Sequence, residues 1–253
     1  MILHFRTIGE GEPLIIMHGV FGSADNWQSV GKEFAKYYKV YLVDMRNHGK
    51  SPHSEEFSYE VMAEDIRQLM KNEGLQEAHI LGHSMGGKVA MTLATNHPTL
   101  IKKLVVVDIA PKQYPPHHAQ IFKGFRAVNL DSISTRKEAE DQMSTVISSL
   151  GVRQFILKNL DRDSEGRFRW KLNLDVIESA ANKIGAALKE ASTFEGEALF
   201  IAGANSDYIL DADHDQITTV FPKARIEKIE GAGHWVHAEK PRELRDLVIE
   251  FLA

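Results

Sequence analysis

The chain has 253 residues, 43% of them hydrophobic and 26% charged, with a formal net charge of −5 and no cysteine. This balance fits one large α/β domain, or a core domain carrying an insertion, and excludes a disordered or fibrous chain. The missing cysteines exclude disulfides, thiolate zinc sites and a cysteine nucleophile, and the negative charge argues against nucleic acid as a partner. No apolar run approaches the ~20 residues that span a bilayer, and Met1-Ile2-Leu3-His4-Phe5-Arg6 lacks a signal-peptide pattern. A cytoplasmic protein, monomeric or homodimeric, is expected.

Gly9-Glu10-Gly11 reads as a turn. Residues 14–17 (Leu-Ile-Ile-Met) form the first buried-strand pattern, followed by His18-Gly19-Val20-Phe21-Gly22. Residues 40–43 (Val-Tyr-Leu-Val) form the second and lead into Asp44-Met45-Arg46-Asn47-His48-Gly49-Lys50-Ser51, where Arg46 and His48 are expected to stiffen the scaffold by hydrogen bonds. The apolar run 78–81 precedes Gly82-His83-Ser84-Met85-Gly86 and a helix-forming stretch, 87–96. Residues 104–107 form a fourth strand closed by Asp108, and 199–202 a fifth followed by Gly203-Ala204-Asn205-Ser206-Asp207. Residues 224–229 alternate as an exposed strand near a sheet edge would; Gly231-Ala232-Gly233-His234 and a helix from Pro241 follow. Uninterrupted apolar strands separated by helices predict a mostly parallel sheet covered on both faces, with the functional site beyond the carboxyl ends of its strands.

This rhythm breaks between residues 112 and 191, where the pattern predicts helices over 121–128, 136–150, 152–160 and 174–189 and no long strand. From Lys112 to Lys171 there are eleven basic and seven acidic residues, a local charge of +4 that leaves −9 on the remainder. The division predicted is a core in two parts, residues 1–111 and 192–253, with a helical cap inserted between them. In Arg167-Phe168-Arg169-Trp170-Lys171-Leu172, basic and apolar residues alternate, so one face can pack while the other offers cations or is a plain exposed edge. His117-His118 and His214-Asp215 lack metal-ligand spacing and are expected to face solvent.

The chemistry concentrates at Ser84. A serine between glycines, at a sharp turn from strand to helix, holds its hydroxyl at the apex, and the helix N-terminus directs backbone N–H groups to where negative charge would develop. A serine hydroxyl needs a general base. His234, on a loop after the last strand, is the candidate, with His237 its rival. The acid that orients the base has two candidates. Asp207 follows the fifth strand, but one position later than the usual slot, which Ser206 occupies. Asp108 ends the fourth strand and would orient His234 with Ser206 as a hydrogen-bonding partner. The oxyanion hole would use the amide of Met85 and that of Val20, with Phe21 as the second choice for the latter.

These motifs together resemble the α/β-hydrolase superfamily over nearly the whole chain, and more narrowly the small bacterial YbfF-type esterases related to mitochondrial ABHD-type hydrolases. His18-Gly19, the 44–51 loop, Gly82 to Gly87, Asp108-Ile109-Ala110-Pro111, Gly203 to Ser206 and Gly233 to Pro241 carry the likeness. The resemblance implies hydrolysis of short-to-medium acyl esters, extending to acyl-CoA thioesters, without metal or cofactor. The basic cap would attract coenzyme A phosphates. Alternatives are a carbon–carbon bond hydrolase or lyase on the same triad, and a non-enzymatic ligand sensor of the same fold. Ser84 excludes a dehalogenase, which needs an aspartate nucleophile.

Overall fold

Over their last four residues the central strands, which end at Met17, Val43, His83, Val107 and Gly203, are buried on both faces: Leu14 and Ile16 join one hydrophobic cluster, Ile15 and Met17 the other. Only a sheet covered on both faces dehydrates alternate residues equally. The structure, a computed structural model, describes residues 1–189 and 191–253; residue 190, within the 112–191 stretch, lies outside the described residues. The strands are β1 (Phe5–Ile8), β2 (Glu12–Met17), β3 (Tyr38–Val43), β4 (Ala78–His83), β5 (Ile101–Val107), β6 (Leu160–Arg162), β7 (Phe168–Trp170), β8 (Ala198–Gly203) and β9 (Ala224–Ile229). Seven form one sheet in the order β1-β3-β2-β4-β5-β8-β9, parallel except for β1, and β6 pairs with β7 in an antiparallel hairpin.

Helices α1 (Gln28–Phe34), α2 (Tyr59–Asn72) and α3 (Met85–Asn96) follow β2, β3 and β4. The cluster on one face contains Met62 and Ile66 of α2 with Val89 and Leu93 of α3. The opposite cluster contains Val30 and Phe34 of α1 with Leu244, Val248 and Leu252 of the last helix. The chain runs from β2 out to β3 and then back across to β4. That reversal opens a crevice beyond the carboxyl ends of β2 and β4, where α/β sheets bind ligands. Both the 18–22 loop and Ser84 sit there.

Between β5 and β8 lie α4 (Ala119–Ala127), α5 (Arg136–Ser144), α6 (Leu150–Leu157), α7 (Leu174–Ser179) and α8 (Ala181–Ile184); α9 (His214–Val220), α10 (Val236–Glu239) and α11 (Pro241–Leu252) complete the fold. The expected helix 136–150 ends at Ser144, and a new one starts where Ser149 Oγ accepts the Val152 N–H. The expected helix 152–160 stops at Leu157, because Leu160 enters the β6–β7 hairpin. The expected helix 174–189 breaks into α7 and α8, with the Ile184 carbonyl taken by the Tyr59 hydroxyl. β1, absent from the sequence reading, is the half-exposed antiparallel edge strand. β9 is the opposite edge, as its alternation predicts. Among the described residues no helix is long and apolar enough to cross a membrane.

Candidate active site

The tight turn after β4 demands its glycines: a Cβ on Gly82 would strike the Gly86 carbonyl, and one on Gly86 the Met17 carbonyl. Their absence lets α3 start directly against β2, with Ser84 at the junction in a positive-φ conformation (φ 53°). A non-glycine residue held there stores strain of order 1–3 kcal/mol. Its amide is tied to the Val107 carbonyl at 3.0 Å, which fixes the turn to the neighbouring strand β5.

Ser84 Oγ lies 3.1 Å from His234 Nε2, and His234 Nδ1 lies 2.8 Å from Asp108 Oδ2. His234 lies 126 positions from Asp108 and 150 from Ser84 in the chain, and the three meet because β4, β5 and β9 all end at one edge. The carboxylate of fully buried Asp108 also accepts the Gly203 N–H at 2.9 Å and the Ser206 hydroxyl. These donors offset the cost of removing a carboxylate from water. Asp207 is exposed, and among the described residues Asp108 is the carboxylate that reaches the imidazole. The physical reason is the position of Asp108 at the end of β5, directly beside β4; the β8 loop contributes Ser206 instead.

Val20 and Met85 both border the crevice. Met85 opens α3, so its amide has no acceptor within the helix. The amide of Phe21 donates to His48 Nε2 at 3.3 Å, whereas among the described residues the Val20 amide has no acceptor. The 44–51 loop therefore orients the 18–22 loop. His48 Nδ1–H donates to the Arg46 carbonyl at 2.8 Å, and Met45 N–H donates to His18 Nε2 at 3.0 Å. Arg46 is gripped by Asp65 at 2.6 and 2.9 Å, both side chains being buried. Burial lowers His18 below the usual imidazole range and His48 to about 3, so each keeps the neutral tautomer these bonds require.

His237 stacks on Trp27 (centroids 4.5 Å apart), sits edge-on to His83 and is buried, lowered to about 3 by desolvation; it is His234 whose ring lies beside Ser84 Oγ. His118, expected at the surface, is buried against Phe21, and burial lowers it to about 3; its partner His117 is exposed. The correction has a simple cause: His118 is the N-cap residue of α4, which packs Phe122 and Phe125 on Phe21.

Two residues escaped the sequence reading. His83 Nε2–H donates to the His234 carbonyl at 2.8 Å and so fixes the loop bearing His234. Tyr208 stacks on the His234 ring, centroids 3.8 Å apart and planes 15° apart. The first was visible as the residue before the serine; the second had no signal beyond its proximity to Ser206. A cavity of about 220 Å³ opens over Ser84 and His234, walled by Phe21, Ile121, Phe155 and Trp235.

A seven-stranded, mostly parallel sheet with a serine at a strand-to-helix turn defines an α/β hydrolase, and the sequence pattern of the alpha/beta hydrolase fold family matches residues 12–241, so the chain belongs to that family. It is 40% identical over 248 residues to the sn-1-specific diacylglycerol lipase ABHD11 of Mus musculus, a match covering 95% of this chain and 80% of that one. It is 37% identical over 230 residues to the Esterase YbfF of Escherichia coli, covering 90% and 88%. A solved structure, that of a marine microorganism esterase, is 43% identical, covers 99% of each chain and superimposes with a TM-score of 0.96.

Proposed function

We propose that the protein is a serine-dependent carboxylic ester hydrolase that acts on short-to-medium acyl esters through an acyl-enzyme. One observation carries the reading: the His234 ring bridges Ser84 Oγ at 3.1 Å and Asp108 at 2.8 Å at the floor of a largely apolar cavity. His234 Nε2 takes the hydroxyl proton as Ser84 attacks the ester carbonyl, and Asp108 holds the ring in the tautomer that leaves Nε2 free to accept. The amides of Met85 and Val20 receive the oxyanion, and loss of one such donor costs about 3–4 kcal/mol of barrier. The alcohol departs with the proton from His234, and water releases the acyl group by the reverse roles. Residues 112–191 act as the cap over this cavity, supplying Ile121 and Phe155 to its wall.

A cavity of about 220 Å³ supports short chains over long ones. Hydrolysis of p-nitrophenyl esters is therefore expected to be fastest for short acyl groups and to fall steeply for palmitate. Thioesters follow the same route with a more acidic leaving group. Of the eleven basic residues between Lys112 and Lys171, seven pair with carboxylates and Arg136 and Arg162 bind backbone carbonyls. Coenzyme A phosphates would thus be met chiefly by Lys123 and Lys158. Rapid fluorophosphonate labelling of Ser84, burst hydrolysis of p-nitrophenyl butyrate and loss of both in Ser84→Ala test the reading; slow labelling with no ester turnover sinks it.

A further inference from the structure

We propose that Tyr208 is a positioning residue whose aromatic face stabilises the positive charge His234 acquires as Ser84 gives up its proton. The proposal rests on the reading of Ser84, His234 and Asp108 given above. With centroids 3.8 Å apart and planes only 15° from parallel, the phenol ring covers one face of the imidazole. A cation over an aromatic face within about 6 Å is attracted to it, and a neutral imidazole is attracted far less. The contact therefore strengthens as the transition state forms, which is the condition for lowering a barrier.

Three hydrogen bonds to Tyr208, two of them relayed onward, hold the ring in this attitude. The Tyr208 N–H donates to Ser206 Oγ at 3.3 Å, and that hydroxyl in turn donates to Asp108. The Tyr114 hydroxyl donates to the Tyr208 carbonyl. The Tyr208 hydroxyl, raised to about 12 by burial and the nearby Asp108 charge, remains protonated and donates to His117 Nε2. His117 Nδ1–H is itself committed to the Pro115 carbonyl at 2.8 Å. Two of the tethers come from the segment leading out of β5, so the same stretch that enters the cap orients the ring over the base. The other titratable groups around His234 are Asp108 and the imidazoles of His83, His237 and His118. Burial keeps those imidazoles neutral. The His83 ring lies 4.8 Å away and is tilted by 42°, so Tyr208 is the parallel neighbour.

The test compares Tyr208→Phe, Tyr208→Leu and phenylalanines of increasing ring fluorination at position 208, which keep ring shape while weakening the face. All are checked by thermal unfolding and assayed with p-nitrophenyl butyrate. Tyr208→Phe is expected to keep kcat within about twofold of the native enzyme, while Tyr208→Leu and the most fluorinated ring lose about five- to tenfold in kcat with KM unchanged. The acid limb of kcat/KM against pH should move to lower pH in the same order, since the charged base loses its support. Equal rates for the Leu, Phe and fluorinated variants overturn the proposal. So does a loss with Leu that fluorination does not reproduce, which would make the ring a packing element. Ser84→Ala is the separate control: if it still turns over ester, the underlying reading of the site fails whatever position 208 does.

Discussion

At the scale of single residues, the arrangement turns on which carboxylate orients His234. Asp108 has a positive φ of 51° and accepts bonds from His234, Ser206 and Gly203. Asp108→Asn should keep the fold and cut kcat on p-nitrophenyl butyrate by about 10³–10⁴-fold, because an amide favours the wrong imidazole tautomer. Asp207→Asn should leave kcat nearly unchanged, and a comparable loss there would reassign the acid. Ser206→Ala removes one of three donors to Asp108, and a drop of about tenfold is expected, in line with one charge-assisted hydrogen bond. The serine, the base and both candidate acids were readable from sequence because each follows a strand pattern. The sequence favours Asp108 because Ser206 fills the slot after the fifth strand. Why the end of β5 reaches His234 depends on the strand order, with β5 beside β4, which the sequence does not show.

At the scale of elements, two junctions decide whether the site exists. Gly86→Ala would drive a methyl group into the carbonyls of Met17 and His18, separating α3 from β2. A loss of about 3 kcal/mol or more in urea unfolding is expected, with activity falling in the fraction that remains folded. The Arg46–Asp65 pair ties the 44–51 loop to α2, and both partners are buried. Asp65→Asn leaves buried Arg46 with only exposed Glu56 as a counterion, 3.7 Å away, and should cost up to about 3 kcal/mol. Through His48 and the Phe21 amide, it should also lower kcat among the folded molecules. The six strands with continuous apolar or alternating runs were legible in sequence. β1 was not, because Phe5, Arg6, Thr7 and Ile8 gain their pairing only from β3, thirty-odd residues later. The β6–β7 hairpin was hidden for a different reason: three-residue strands inside a charged stretch carry too few side chains to establish a period. Phe168 and Trp170 pack inward there, while Arg167 and Arg169 pair with acidic neighbours, so the alternation marked a hairpin edge.

For the whole molecule, buried bases that stay neutral dictate how stability varies with pH. His48, His118 and His237 fall from 6.5 to about 3 in the folded chain, and Lys88 falls from 10.5 to about 7 because it is buried near Lys112. The unfolded chain binds more protons than the folded one between each pair of values, so stability rises with pH across those windows. The histidine contribution is complete above 6.5 and is lost as pH falls toward 3; the Lys88 contribution is complete only above 10.5 and is lost toward 7. Thermal unfolding midpoints should therefore climb from pH 4 to 6.5 and again from pH 7 to 9, and Lys88→Met should flatten the second rise alone. A midpoint that does not vary over pH 4–6.5 would contradict the buried, neutral state of these rings. The wide spacing of the reacting groups along the chain has one more effect, which concerns synthesis. The imidazole is synthesised 150 residues after the hydroxyl it faces. On the proposed reading, a nascent chain that has already shaped its first five strands carries an unactivated serine until the loop bearing residue 234 docks. Translation stalled before residue 234 should yield a product inert toward fluorophosphonate.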